Sequence, residues 1–266
     1  MNKLLWKDSD GLHITPIEEC PKQLEVFNGI EWVVGEIIEE PTKEVVLENG
    51  RKAYIGLNHV IDSKYLSENT LHFNENVISA IPEFDQNLIY EMGILIGLFA
   101  LYGEYHTDND KVIGIVLKMP PEVYNTAKPY LKNYNAVHGS FSNGYLLQYY
   151  VDNFFIEFTQ RWVHNGIIDV NCIAQNEKFR EGIADICGKK ITSFSKEFLE
   201  SVETILMSLG KITMKKVLPY SINGIHKYGL YLIDSTYVKI KSISEDTIPY
   251  FTVKDTHYVL NYGLIL

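Results

Sequence analysis

The chain has 266 residues, of which 46 % are hydrophobic and 22 % charged, a composition typical of globular proteins and sufficient for one large domain or two ordinary ones. Its formal net charge at pH 7 is -10, and residues 78–234 contribute little of it, with 17 acidic and 14 basic side chains. Nucleic-acid binding usually requires a basic surface. The overall charge therefore argues against strong DNA binding and leaves only a local basic face as a candidate.

The cysteines and the apolar segments indicate the compartment. Cys20, Cys172 and Cys187 are widely spaced without a C-x-x-C pair, so we expect no zinc site or disulfide framework and predict an intracellular, reducing environment. The opening MNKLLWKDSDGLH lacks the apolar core of a signal peptide. The apolar run at 88–102 contains Glu91 and is shorter than the ~20 residues of a membrane-spanning helix, so we expect no membrane span.

The first 77 residues predict short β-strands. The segments GLHITPIEEC, QLEVFNGIEWVVGEII and KEVVLENGRKAYIG either alternate apolar and polar residues or run apolar. Asn28-Gly29 and Asn49-Gly50 stand among these runs, and Asn-Gly between β-rich segments is typical of a hairpin turn.

A pattern of alternating helices and strands follows. Asp85 is a candidate N-cap for a helix through QNLIYEMGILIGLFALYG, and KVIGIVLKM predicts a strand over 111–119. A helix (PEVYNTAKPYLKNY), a hairpin about Asn143-Gly144 and another helix (DNFFIEFTQRWV) come next. The segments NEKFREGIADICGKK and SKEFLESVETILMSLG predict two further helices, each ended by a glycine. From 229 onward the chain returns to strands.

This order predicts an α+β fold with two domains. The β-rich flanks, 1–77 and 235–266, are each short for a core, so we expect them to combine into one split all-β domain. The segment 78–234 is predicted to be an inserted α/β module with two similar halves. Because an internal duplication supplies both halves of a pseudo-dimer, we predict a monomer.

Glycines within the apolar helices indicate how those helices pack. Gly93 and Gly97 are four residues apart and share one helix face, and small residues on such a face let two helices approach closely. Gly182 holds the corresponding place in the second half. We predict that helices near 86–102 and 177–187 pack side by side through these glycines, with their C-terminal ends adjacent.

The same segments resemble a known family. LIGLFALYG (95–103) and REGIADICG (180–188) are similar to the paired motifs of LAGLIDADG homing endonucleases. TSFSKEFLESVETILMSLGK (192–211) is similar to the strand and helix that follow the second motif. The resemblance implies a pseudo-two-fold α/β module whose antiparallel strands form a saddle for the major groove of DNA.

The flanks resemble inteins. VVLENGRKAYIGLNHVI (45–61) is similar to the intein block that ends in Thr-x-x-His, and IPYFTVKDTHYVLNYGLIL (248–266) is similar to the C-terminal block. HITPIEEC and EVFNGIEWVVGEI resemble the strands that follow an intein's first residue. This resemblance implies a Hint-like β domain that carries the endonuclease module, in a free-standing protein derived from a mobile genetic element.

In the endonuclease family, an acid before the final glycine of each motif holds a divalent metal that activates water. Tyr102 and Cys187 occupy these positions, and neither is a good ligand for Mg²⁺. Glu104 lies two residues after the first position and Asp185 two residues before the second, a shift that turns a side chain to nearly the opposite helix face. The resemblance therefore implies a pseudoenzyme without a cofactor, or an Mg²⁺ enzyme only if Glu104 and Asp185 substitute.

Protein splicing requires a Cys or Ser at the first position and an Asn, usually after a His, at the last. The first residue is Met1 and the last is Leu266, so neither position has the residue that splicing requires. Gly56 replaces the Thr partner of His59. We therefore expect no splicing and no thiol-dependent self-cleavage, and we interpret His59 and His257 as remnants of the splicing site.

The saddle strands implied by the resemblance lie near 111–119, 136–150 and 211–233. The lysines on or beside these strands are candidate DNA contacts: Lys111, Lys118, Lys211, Lys215, Lys216 and Lys227. Basic side chains at these places are expected to contact phosphates.

Three functions stay open on the sequence alone. The first is an intein-derived protein without splicing or nuclease activity that binds double-stranded DNA. The second is an active, divalent-metal-dependent homing endonuclease, and the third is a protein-interaction scaffold that meets a protein partner without binding DNA. Loss of the acids favours the first and third, the net charge favours the third over the first, and the saddle favours DNA.

Overall fold

A computed structural model of the chain describes residues 2–28, 31–57, 65–66, 85–234, 238–254, 259–260 and 264–265. Gly29, His59 and His257 lie outside the described residues, so the proposed splicing remnants have no structural assignment.

The strands and helices before the second motif are β1 Lys3–Asp8, β2 Gly11–Pro16, β3 Gln23–Phe27, β4 Trp32–Leu47, β5 Lys52–Gly56, β6 Tyr65–Leu66, α1 Tyr90–Tyr102, β7 Gly103–Asp108, β8 Lys111–Met119, α2 Pro121–Leu131, β9 Ala136–Ser142, β10 Tyr145–Tyr150, α3 Asn153–Trp162, β11 Val163–His164 and β12 Ile167–Ile168. The remaining ones are α4 Glu177–Cys187, β13 Lys190–Ser193, α5 Lys196–Ser208, β14 Ile212–Ile222, β15 Ile225–Ile233, β16 Val238–Ile243, β17 Ile248–Val253, β18 Val259–Leu260 and β19 Leu264–Ile265.

Both flanks of the chain contribute strands to one ten-stranded sheet, so the fold is mixed α+β. β4 pairs antiparallel with β3 and β5 and also with β16 and β17 from the other flank, while β1 pairs with β18. Leu4, Val26, Leu47 and Val253 lie in the buried core on this sheet. Strands from both flanks therefore share one sheet. The division into a split β domain and an insertion stays a prediction, and its limits near 77 and 235 fall outside the described residues.

Two features of this flanking sheet differ from the sequence expectation. β1 was not anticipated, although its buried Leu4 and Leu5 belong to hydrophobic cores. β4 runs without interruption through Pro41, which lies opposite Pro249 of β17. The carbonyl oxygen of Pro41 accepts from the backbone N–H of Leu57 at 3.3 Å, on the side of β4 away from β17, so the missing N–H removes no hydrogen bond between β4 and β17.

The first half of the central region has the order α1-β7-β8-α2-β9-β10-α3, and its sheet has the order β7-β8-β10-β9. The predicted hairpin between β9 and β10 is present, with φ values of 51° at Asn143 and 81° at Gly144. Positive φ at both central residues is the requirement of the type I′ turn, which explains the Asn-Gly pair. The predicted strand over 111–119 is present as β8.

The second half is a shortened version of the first. Its sheet has the order β13-β15-β14, which corresponds to β8-β10-β9, and its hairpin turns at Asn223-Gly224 with φ values of 51° and 80°. Among the described residues it has no strand corresponding to β7 and no helix corresponding to α3. The outer surfaces of the two sheets therefore differ in width.

The first helix begins later than the sequence predicts. α1 starts at Tyr90, after Ile89 in the N-cap position, which makes no side-chain capping hydrogen bond. The Asp85 side chain instead accepts a hydrogen bond from the backbone N–H of Asn87 at 2.8 Å. A short aspartate side chain bonds readily to the backbone two residues on, and this local turn competes with helix capping. No helix in the described part of the chain is long and apolar enough to cross a membrane.

The flanking sheet is docked on α5 of the second half through ionic contacts. Arg51 donates to Glu203 of α5 at 2.6 Å and to Thr213 of β14 at 3.0 Å. The Glu203 side chain is 1 % exposed and that of Arg51 is 9 % exposed. Lys3 of β1 reaches Glu200 of the same helix at 2.9 Å. These contacts fix the position of the flanking sheet against the second half.

Candidate nucleic-acid interface

α1 and α4 run parallel and touch through backbone atoms. A Cβ atom on Gly93 would overlap the carbonyl oxygen of Phe179, and a Cβ atom on Gly182 would overlap that of Tyr90. At Gly97 the nearest atom to such a Cβ would be 3.0 Å away, which is tight but not an overlap. All three glycines thus lie in the contact between the two helices.

The pairing of residues across the helix contact differs by one helical turn from the pairing that the two sequence motifs suggest. Gly93 and Gly182 are equivalent in the contact, because each faces the carbonyl oxygen of the residue three positions before the other. The motifs instead align Gly97 with Gly182. Since four residues make about one turn, α1 continues one turn past the level at which α4 ends.

The C-terminal ends of these helices carry uncharged side chains. The counterpart of Cys187 is Leu98 in the helix contact and Tyr102 in the motif comparison, so neither alignment supplies a carboxylate. Burial raises the pKa of Cys187 to about 12, although the nearby charge of Lys211 opposes this rise. Burial also raises the pKa of Tyr102, with Cys187 as a further contribution. In the helix contact the backbone of Tyr102 thus lies about one turn past the level of Cys187, while Cys187 is still near enough to affect the Tyr102 pKa.

The two substitute acids have separate surroundings. Asp185 accepts a hydrogen bond from the hydroxyl of Tyr90 at 2.8 Å. Glu104 lies on β7 opposite Val116, on the face of the sheet away from the buried Ile115. Within the described residues, no group of three or more His, Cys, Asp or Glu side chains is arranged to hold a metal ion. The side chains at the helix ends do not suit the hard oxygen coordination that Mg²⁺ prefers.

The environments of the three cysteines predict low thiol reactivity in the folded protein. Burial raises the pKa values of Cys20, Cys172 and Cys187, and the thiolate is the reactive form. At pH 8 we expect an aromatic disulfide reagent to modify the folded protein at least about ten-fold more slowly than the protein in urea. Absorbance should report three thiols in urea, and rapid modification of Cys187 before unfolding would contradict its buried position.

The outer face of the first sheet is polar and of mixed charge. Glu104, Val116, Tyr149 and His138 form one row across β7, β8, β10 and β9. A shallow cavity of about 310 Å³ on this face is lined by His106, Val116, His138, Ser140, Leu147, Gln148 and Tyr149. Hydroxyl, imidazole and amide groups of this kind can form hydrogen bonds to phosphates and to base edges.

The outer face of the second sheet has a different character. β13, β14 and β15 contain no aspartate or glutamate, in a chain of net charge -10. Leu230 and its neighbour Ile191 are buried against the helices, so the alternate residues of these strands point outward. The outward set includes Lys190, Thr192, Met214, Lys216, Lys227, Gly229 and Tyr231. This face is the most basic part of the candidate saddle.

The six lysines predicted as DNA contacts lie in different environments in the structure. Lys216 and Lys227 lie on the basic outer face, and Lys118 is exposed on β8 with its ammonium group 5.3 Å from the ring centre of Tyr145. Lys111 is exposed at the start of β8, directly opposite Asp108. Lys211 precedes β14 and lies near the end of α4, where its charge acts on Cys187.

Lys215 is on the inner side of its sheet and is not available as a DNA contact. It lies opposite the buried Leu230 and forms ion pairs with Glu203 at 3.0 Å and Glu200 at 3.3 Å. Sequence reasoning also missed Lys190, which faces Tyr231 across the sheet. Alternation along the short β13 strand, with Ile191 buried, is the signal that would have found it.

No family model matches the chain, and no curated protein matches it significantly. Among solved structures, I-DmoI in complex with DNA and Mn matches at 13 % identity, with 55 % of this chain and 91 % of that chain covered and a TM-score of 0.38. I-DmoI in complex with DNA and Ca matches at 15 % identity, with 56 % and 85 % covered and a TM-score of 0.37. A structure of mesophilic variants of the homing endonuclease I-DmoI gives 13 % identity, 56 % and 91 % coverage and a TM-score of 0.39. A likeness at this level assigns neither ligand nor activity to the chain.

Proposed function

We propose that this chain is a LAGLIDADG-like protein that binds double-stranded DNA through the outer faces of its two central sheets and does not cleave it. The observation that supports this proposal most directly is the absence of acidic residues from β13, β14 and β15, where Lys190, Lys216 and Lys227 point outward. Clustered lysines on one face supply phosphate contacts even in an acidic protein, because charges beyond about 10 Å are screened by salt.

The geometry of the two hairpins supports a duplex ligand. β9–β10 and β14–β15 are antiparallel ribbons with tight Asn-Gly turns, one in each half. The major groove of B-DNA is wide enough for a two-stranded ribbon. The polar groups of the first sheet, among them His106, His138 and Gln148, are suited to contacts with phosphates and base edges.

Loss of cleavage follows from the side chains at the helix ends. Metal-dependent phosphodiester hydrolysis needs carboxylates that hold a divalent ion next to the scissile phosphate. Cys187 and its two counterparts, Leu98 and Tyr102, provide none, and a thiol whose pKa is about 12 is neutral at physiological pH. The proposed protein therefore retains a binding surface without a metal site.

We further propose that the flanking sheet is a Hint-like domain of intein origin that does not splice, formed by 1–77 and 235–266 around a module at 78–234. The pairing of β4 with strands from both flanks supports a single domain interrupted by an insertion. Mass spectrometry after incubation with thiols tests the absence of splicing chemistry. A thiol-dependent fragment would contradict it.

Neutralising the basic face is expected to weaken duplex binding and its dependence on salt. With Lys190, Lys216 and Lys227 all changed to Gln, the slope of log K against log salt should fall by about 2 to 3, because each lost phosphate contact accounts for ~0.9. Fluorescence anisotropy with a labelled mixed-sequence duplex, titrated at several salt concentrations, measures this slope. The matched control changes Lys22, Lys52 and Lys178 to Gln, which removes the same charge from side chains that are 80 %, 56 % and 73 % exposed elsewhere.

The same duplex, incubated with Mg²⁺ or Mn²⁺, is expected to stay intact. Cleavage that Glu104→Gln or Asp185→Asn abolishes would instead establish the active endonuclease. Equal duplex affinities of the basic-face variant and its control would remove the support for DNA binding and favour a protein-interaction scaffold.

A further inference from the structure

Lysines and aromatic rings alternate on the outer face of the second sheet. The ammonium groups of Lys190 and Lys216 lie 5.5 Å and 5.8 Å from the ring centre of Tyr231, one on each side of it in the sheet. The ammonium group of Lys227 lies 5.6 Å from the ring centre of Phe194. Each positive charge on this face is thus held beside an aromatic surface.

The rings at the outer end of this face are open to solvent. Tyr220 is 55 % exposed and Phe194 is 37 % exposed, and their ring centres are 6.0 Å apart. Ile222 and Ile225 at the tip of the hairpin are also exposed, at 46 % and 59 %. Large apolar side chains grouped in this way on a protein surface indicate a region that another molecule covers.

Few groups on this face can read base edges in a duplex. Direct reading of paired bases relies chiefly on Arg, Lys, Asn and Gln side chains. The outward positions of β13, β14 and β15 contain lysine but no Arg, Asn or Gln, and these lysines lie beside aromatic rings. Bases in a duplex present their edges in the grooves and keep their ring faces stacked. Exposed rings are complementary to base faces, which become accessible when a strand is unpaired.

The first sheet provides the contrast within the same molecule. Its outer face carries imidazole, amide and carboxylate groups, including His106, His138 and Glu104. The lysine and ring pattern of the second sheet has no equivalent there apart from Lys118 and Tyr145. The two halves therefore present chemically different surfaces, although their strands have the same pairing order.

We propose that the outer face of the second sheet binds an unpaired nucleic-acid strand, with bases stacked on Phe194 and Tyr220 and phosphates held by Lys190, Lys216 and Lys227. This rests on the proposed function in that the same face contacts nucleic acid, but it assigns a different form of the ligand. Because base faces are common to DNA and RNA, the shared chemistry is an unpaired strand with little sequence preference.

The test compares affinities of the full chain for a labelled 12-nucleotide DNA strand, the same sequence as RNA, its DNA duplex and an abasic deoxyribose-phosphate strand. Phe194→Leu with Tyr220→Leu is expected to weaken single-strand binding by at least about five-fold for each ring, while duplex affinity changes little. The salt dependence should persist, since the lysines are unchanged. Wild-type protein should bind the abasic strand no better than the ring variant binds the normal strand.

The control is Phe141→Leu on the first sheet, whose side chain is 67 % exposed and lies opposite Leu146, away from the outer face of that sheet. An equal loss in this control, or no loss in the ring variant, would overturn the proposed stacking surface.

If duplex binding depends on the basic face but single strands bind no more tightly than the duplex, this inference fails and the proposed function stands. No binding to any nucleic acid would overturn both, and a dimer dissociated by Tyr220→Leu would show that a second copy covers the face.

Discussion

Gly93→Ala is expected to lower the free energy of unfolding by about 3 kcal/mol or more, at the upper end of the range for overpacked interiors. In most helices this substitution stabilises the protein by up to about 1 kcal/mol. Here the added methyl group would overlap the carbonyl oxygen of Phe179, and a backbone atom cannot move aside as a side chain does. Gly182→Ala is expected to have a similar effect, because its methyl group would overlap the carbonyl oxygen of Tyr90.

Gly97→Ala is the matched control for this prediction. The nearest contact of its methyl group would be 3.0 Å, so the gain in helix propensity and the crowding should nearly cancel. Urea denaturation of the three single variants measures the order. The double variant with both Gly93 and Gly182 changed should lose less than the sum, since these residues share one contact. Equal stabilities at positions 93 and 97 would mean that α1 and α4 do not pack as described.

Arg51→Met is expected to destabilise the protein by about 3 kcal/mol or more, because it leaves the carboxylate of Glu203 buried with one of its charged partners removed. Arg51 and Glu203 are separated by 2.6 Å, with side chains 9 % and 1 % exposed. The neighbouring variant Lys52→Met breaks an exposed pair with Glu44 and should change stability far less. Combining Arg51→Met with Glu203→Met should recover part of the loss, and thermal unfolding of this set provides the measurement.

The same carboxylate gives a pH dependence with a defined sign. Burial would raise the pKa of Glu203, but Arg51 and Lys215 together with the hydroxyl of Thr213 lower it below the ordinary value of 4.5. A carboxyl with a lower pKa in the folded state contributes stability that is complete above its unfolded pKa and is lost as the pH falls through the folded one. Wild-type stability should therefore decline more steeply below about pH 4.5 than that of Glu203→Gln. Parallel declines would show that this group does not carry the effect.

Local features of the fold follow from the sequence because neighbouring residues determine them. The hairpin at Asn143-Gly144 is present because that pair accepts positive φ. α5 begins where Ser195 accepts a hydrogen bond from the N–H of Phe198, and it ends before Gly210 with a φ of 74°. These signals depend on a few consecutive residues, so a single sequence contains them.

The register of the helix contact could not be obtained in this way. Gly93 and Gly97 lie on the same face one turn apart, and either one can be aligned with Gly182 from the sequence alone. The choice depends on which carbonyl groups meet across the interface, and these belong to residues far apart in the chain. The sequence comparison of Tyr102 with Cys187 carried the same one-turn uncertainty.

The direction of a lysine on a strand also depends on distant partners. Lys215 and Lys216 are adjacent and look equivalent in the sequence, yet one faces Glu203 and the other faces solvent. Arg180 in the second motif is a similar case, since its guanidinium group is buried and donates to the carbonyl oxygens of Gln175 and Ser208 at 2.9 Å and 2.6 Å. Burial of a charge is decided by tertiary contacts, and one sequence does not reveal them.

The union of both flanks in one sheet has a consequence for biosynthesis. Residues 37–42 of β4 pair with residues 248–253. During synthesis, one edge of this long strand therefore lacks its partner strand until residues about 210 positions later in the chain have been added. At a translation rate of about 5–20 residues per second, that interval is roughly 10–40 s. An unpaired strand edge with hydrophobic residues can associate with other chains during such an interval. Expression at reduced temperature together with a chaperone that shields nascent chains is therefore expected to raise the soluble yield of this protein.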